Sequence, residues 1–160
     1  MYYKNISYTI SHIFVMLFMY LFIAHRYSKA KTVAICPGSF VAITIPTVLK
    51  LNIFPDSKLC YALVTVYQIA LTQLTGLFIA KWRDSKALFL GLSASNYVLA
   101  GSIMAAILHI WTGNLYLCIA GCIAAHVIIL SVLYVKIRDI CLRYQDETMM
   151  SWWSLFLIPV

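Results

Sequence analysis

The chain has 160 residues, of which 63% are hydrophobic and 11% charged, and it carries a net charge of +7. Soluble domains average roughly a quarter charged residues and under half apolar ones, so this composition excludes an ordinary soluble globular protein. The positive charge would point a soluble domain toward nucleic acid, but here the basic residues sit in short segments between apolar blocks, which reads as membrane topology and excludes a nucleic-acid partner.

The first block, "ISYTISHIFVMLFMYLFIA" (6–24), exceeds the 7–15 residues typical of a signal-peptide core and ends without a small-x-small cleavage site, so it is expected to remain as a first span. Within it His12 is a candidate protonation sensor, with a hydrogen bond to a neighbouring helix as its plainer role, and His25 joins Arg26 at the boundary. A second run, 32–54, contains Pro37 and Pro46. Each proline removes a helix hydrogen bond, which predicts a bent helix whose first turn begins near Pro37. The third, fourth and fifth spans cover 59–80, 87–110 and 115–135, and the turn "WTGN" makes the last two an antiparallel hairpin. The final stretch, "SWWSLFLIPV" (151–160), starts like a sixth span with interfacial Trp152 and Trp153. As a helix it would reach only about 15 Å, so it reads as a partial or cut span. The expected fold is an all-α polytopic integral membrane helical bundle, a single membrane domain of five full transmembrane helices plus a partial sixth, with no soluble domain and no disulfide framework.

Lysines and arginines decide the expected orientation. The segments after spans one, three and five hold Arg26, Lys29, Lys31, Lys81, Arg83, Lys86, Lys136, Arg138 and Arg143, against Lys4, Lys50 and Lys58 on the opposite side. By the positive-inside rule the first set is cytoplasmic and the N-terminus lies outside, in a cell (plasma) membrane. The motif K-x-R-D occurs twice in that set, as "KWRD" (81–84) and "KIRD" (136–139). Its plain reading is a cytoplasmic rim, with Lys81, Arg83, Lys136 and Arg138 snorkelling to headgroups and Asp84 and Asp139 offsetting charge; the sharper reading is a signalling contact.

Several polar side chains interrupt the apolar spans. Cys118, Cys122 and His126 recur every four residues on helix five, forming one stripe that could offer a metal ligands or pair a thiol with an imidazole. One helix seldom completes a metal site, and His109 lies roughly 16 Å away along the bundle, so no metal or other cofactor is expected; small cysteines among alanines serve close packing instead. All five acids lie in loops, which leaves a Cys-His nucleophile without an orienting carboxylate and argues against proton-coupled transport. On helix four, Gly91 with Ser95 and Gly101 with Ala105 are small-xxx-small pairs. Asn96 falls about 13 Å from the inner end, between the levels of Gln73 at about 10 Å and Gln68 at about 18 Å, which allows an interhelical amide bond. Gln68, Gln73, Asn96 and His126 are therefore the candidate polar or ligand residues within the spans.

The stretch "WRDSKALFLGLSASNYVLAGSI" followed by "ILHIWTGN" resembles the multi-span N-terminal membrane region of bacterial signal-transduction proteins of the sensor histidine kinase and GGDEF diguanylate cyclase type. The resemblance covers about residues 81–145 and rests chiefly on Arg83, Asp84, Ser85, Leu88, Phe89, Ser95, Asn96 and Gly101. It implies a sensory or signal-transmitting region without catalysis of its own, whose partners are the lipid bilayer and either a cytoplasmic output domain or a second copy. No phospho-accepting H-box, ATP-binding N-box or GGDEF stretch occurs in the chain. A small transporter or channel component is the alternative expectation, and a thiol-dependent membrane enzyme a third.

Overall fold

The structure, a computed structural model, describes residues 2–53 and 57–146. These residues form six helices and no strand: α1 (Tyr2–Phe22), α2 (Lys29–Ile53), α3 (Lys58–Ile79), α4 (Ser85–Thr112), α5 (Leu115–Lys136) and α6 (Arg138–Asp146). The first five match the five spans read from the sequence, and each is long and apolar enough to cross a membrane. The partial span at 151–160 lies outside the described residues.

Local signals set the helix boundaries. Ser57 caps α3 by accepting from the Cys60 N–H, Asp84 caps α4 through the N–H groups of Lys86 and Ala87, and Asn114 caps α5 through those of Tyr116 and Leu117. Gly113 ends α4 in the left-handed region at φ 63°, where a side chain would be strained. The α4–α5 hairpin thus turns on the Thr112-Gly113-Asn114 sequence, as its composition predicts.

Helix α2 corrects one expectation. It begins at Lys29, eight residues before Pro37, and runs as one element through both prolines. Pro46 cannot bond the carbonyl four residues back, that of Ala42, and the Tyr67 hydroxyl on α3 donates to this oxygen at 3.5 Å. A neighbouring helix thus supplies a partner for the freed carbonyl.

Helix α1 is the most enclosed of the five and packs against α4, α5 and α2, while α3 joins α2 to α4. Its buried stripe runs Ser7, Ser11, Val15, Phe18 and Phe22, with Met19 and Ile23 alongside, a spacing of three and four that holds one side of the helix against its neighbours. Around the bundle the usual distribution is inverted. Ser11, Thr32, Thr72 and His126 are at most 2% exposed, whereas Leu63, Val66, Ile128 and Val135 are each more than 60% exposed. Apolar flanks this extensive suit a lipid solvent, because hydrocarbon tails cover them without the cost that water would impose.

The ends of α1, α3 and α5 and the starts of α2, α4 and α6 gather at one end of the bundle, which also carries the nine basic residues grouped by topology. There the α1–α2 and α3–α4 connections pair: Arg26 N–H donates to Ile79 O at 2.9 Å and Lys81 N–H to Ala24 O at 2.8 Å, around an antiparallel bridge between His25 and Ala80. Helix α6 packs against α1 and α5 at this end, where the sequence predicts a loop.

Candidate functional site

Three polar constellations stand out: a docked rim at the charged end, a hydrogen-bonded cluster deep between α1, α4 and α5, and a cavity toward the opposite end.

At the rim the two K-x-R-D copies do different work. In the first, Lys81 forms an ion pair with Asp146 of α6 at 2.7 Å, Trp82 Nε1 donates to the same carboxylate oxygen at 3.3 Å, Asp84 caps α4, and Arg83 is exposed. In the second, Arg138 Nε donates to the carbonyl of Leu21 at 3.2 Å, capping the end of α1 across 117 residues of sequence. Arg138 also pairs with the exposed Asp139 at 3.3 Å, and Lys136 is exposed. The centre of the rim is Gln145, 6% exposed, whose amide donates to Phe22 O at 2.8 Å and accepts from Ala24 N–H at 2.8 Å. Its own carbonyl accepts from the buried Lys86 Nζ at 3.2 Å. The Asp146 carboxyl is held below its ordinary range chiefly by the hydrogen bond from Lys81, then by that from Trp82. Burial lowers the His25 imidazole, helped by the Lys29 and Arg138 charges and opposed by the Tyr20 carbonyl.

In the deep cluster His126 is fully buried, stacked on Phe14 at 4.8 Å between centroids and edge-on to Tyr97 at 4.7 Å. Its Nε2 lies 2.8 Å from Ser11 Oγ, which donates to Ser7 O at 2.8 Å, while Tyr97 OH donates to the His126 carbonyl at 2.7 Å. With the Ser11 hydroxyl proton given to Ser7, His126 donates through Nε2 and keeps its Nδ1 lone pair unpartnered among the described residues. Cys122 Sγ donates to Ser7 O at 3.6 Å and lies 3.7 Å from Ser11 Oγ, so a serine bridges the thiol and the imidazole of the stripe. Cys118 and Cys122 are fully buried against Ala105, which is the close-packing role. Gly101 is required here, since a Cβ would run into the His126 ring and the Cys122 sulfur. Among the described residues no group of three or more His, Cys, Asp or Glu side chains is placed to hold a metal ion.

The two glutamines anticipated as interhelical donors are both bonded, but to hydroxyls. Gln68 donates to Thr47 of α2 at 2.7 Å and Gln73 to Ser95 of α4 at 3.3 Å. Asn96, the amide expected to receive them, is exposed, and its neighbour Ser95 takes the bond because it shares a face with Gly91. Gly91 leaves the space that the Gln73 side chain fills. His12 is 3% exposed and bonds the carbonyl of its own helix at Tyr8 at 2.8 Å instead of reaching another helix.

The cavity, about 570 Å³, lies between α1, α2, α3 and α4. Its polar wall includes Ser7, Thr47, Lys50 and Gln68, and its apolar wall Val64, Leu99 and Ile103. Lys50 is 6% exposed, with Nζ 4.7 Å from the centroid of the Tyr61 ring. The charge count by loops places Lys50 among the residues of the opposite side. On the folded helix it shares the inward face of Ile43 and Thr47, at spacings of four and three.

Five apolar helices with polar side chains gathered inside are compatible with a multi-pass membrane protein. No protein-family model matches the chain, and no curated protein or solved structure matches it either.

Proposed function

We propose that this chain is a sensory, signal-transmitting membrane region of a bacterial signal-transduction protein, set in the plasma membrane with its charged end in the cytoplasm and its N-terminus outside. The observation that carries the reading is the docking of α6. Its Gln145 binds the backbone where α1 ends, its Asp146 binds the α3–α4 connection, and Arg138 at its start caps α1. A shift of any of these helices changes the seat of α6, which makes it the element able to pass helix motion to an output domain. The cavity at the other end lies between the same α1, α3 and α4, so an occupant there that favours one helix spacing would bias the rim. Nine basic residues at the rim support the cytoplasmic assignment of that end.

The test uses spin labels at Arg83→Cys and Ile140→Cys in a background cleared of native cysteines, with the cavity filled by Ala106→Trp in lipid bilayers. A displaced or broadened distance distribution between the labels supports coupling. An unchanged distribution in a folded protein removes it.

A transporter component is the second reading, favoured by the polar wall of the cavity and by Pro37 and Pro46 in α2. It predicts solute flux in proteoliposomes that Gln68→Leu abolishes, whereas Asn96→Leu, at an exposed position, leaves it intact.

A further inference from the structure

We propose that the cavity between α1 and α4 binds a lipid acid: an anionic head, carboxylate or phosphate, seated at Lys50, with an acyl chain leaving sideways between α3 and α4. This names the ligand class of the sensory region proposed above and rests on that reading for what binding does, not for binding itself.

The head end follows from charge. Lys50 is buried, faces the cavity and has its ammonium over the Tyr61 ring, and among the described residues no carboxylate contacts it. No Asp or Glu occurs anywhere in α1–α5. An ammonium on a buried side chain, held among the described residues by an aromatic face and open to the cavity, is the arrangement that a bound anion completes. Ser7 is a second, independent observation. It is 1% exposed, lines the same cavity, and its Oγ has no hydrogen-bond partner among the described residues. A hydroxyl left unpaired in a buried wall is a donor awaiting an acceptor.

The tail end follows from shape. Helices α3 and α4 are joined in one half of the bundle, where Gly76 meets Gly91 and Gln73 bonds Ser95. Beyond Ser95 the cavity lies between them, and its lip is formed by Tyr61, Leu99 and Ile103, all of them more than half exposed. This mouth opens toward the flank that the apolar side chains assign to lipid. An occupant entering there must be apolar along most of its length, and one reaching Lys50 must end in an anion. A volume of about 570 Å³ is ordinary for a small-molecule site.

The experiment measures tritiated oleate binding to the full chain in phosphatidylcholine nanodiscs. Saturable binding is expected, weakened about tenfold or more by Lys50→Met and kept by Lys50→Arg and by Lys58→Met, an exposed lysine on α3. Methyl oleate, with the same chain and no charge, should not compete. Displacement by phosphatidylglycerol assigns the head to a membrane lipid, and displacement by unlabelled oleate alone assigns it to a free fatty acid. Absence of saturable binding, equal competition by methyl oleate, or unchanged affinity in folded Lys50→Met overturns the proposal. Binding without movement of the rim labels leaves the ligand assignment standing and removes only the sensory reading.

Discussion

Gln145 and Phe22, 123 residues apart in sequence, are joined by a 2.8 Å hydrogen bond in which the glutamine amide caps the open end of α1. The same side chain takes the Ala24 N–H, so one buried amide satisfies a donor and an acceptor where the chain leaves its first helix. Gln145→Leu keeps the bulk but leaves both backbone groups unpaired, at a cost of about 1–3 kcal/mol each. Hydrogen exchange should show residues 138–146 losing protection while α1–α5 keep theirs; equal loss throughout would mean that α6 is not a separately docked unit.

Acid should loosen the rim in two stages. His25 is depressed below its ordinary 6.5, so the unfolded chain takes up its proton first, and the stability linked to the neutral ring declines as pH falls below about 6.5. Asp146 is depressed below 3.8, so the Lys81 pairing is fully present above that value and is lost as pH falls through the lower, folded one. Protection of α6 amides, taken relative to intrinsic exchange at each pH, should fall in both ranges between pH 8 and pH 3. His25→Gln should remove the first fall only, and Asp146→Asn the second.

Two glycine substitutions should act in opposite directions. Gly101→Ala drives a methyl into His126 and Cys122, and overpacking of this kind costs about 1–3 kcal/mol. Gly38→Ala meets nothing within 4 Å and gains helix propensity of up to about 1 kcal/mol. Thermal unfolding in detergent should place the two variants on either side of the parent.

The hydroxyl bridge at His126 predicts that Ser11→Ala is more disruptive than Cys122→Ser. Removing Ser11 strips His126 of its bond to the serine hydroxyl and leaves Nε2 buried without a partner among the described residues, whereas serine at 122 can still donate to Ser7 O. A smaller loss of unfolding midpoint for Cys122→Ser than for Ser11→Ala is expected. The reverse order would point to a role for the thiol that packing does not explain.

The spans were legible because each apolar run is long and bounded by a cap or a charge, and periodicity reports both. Helix α6 was not, since "RDICLRYQD" is short and polar and its charges were already explained as topology. Its one inward signal was Cys141 with Gln145, four apart on a common face. The amide singles out Asn96 in the sequence, yet neighbours on a helix point about 100° apart and it is Ser95 that faces Gln73. The phase was available in Gly91, four residues before Ser95. For Lys50 the charge itself implies solvent, and only the folded α2 shows it turned inward with Thr47. Polar residues inside a span are read correctly only together with the helix phase.

Cysteine accessibility in intact cells tests most directly the account of a five-span bundle with its charged rim in the cytoplasm. Lys86 lies in the rim but is buried against Gln145, so the exposed Arg83 is the better probe of that end, with Trp111, 80% exposed, reporting the other. In a background without the native cysteines, a membrane-impermeant maleimide added outside should label Trp111→Cys, and should label Arg83→Cys only after the membrane is opened. Labelling of Arg83→Cys from outside, with Trp111→Cys protected, would contradict the account.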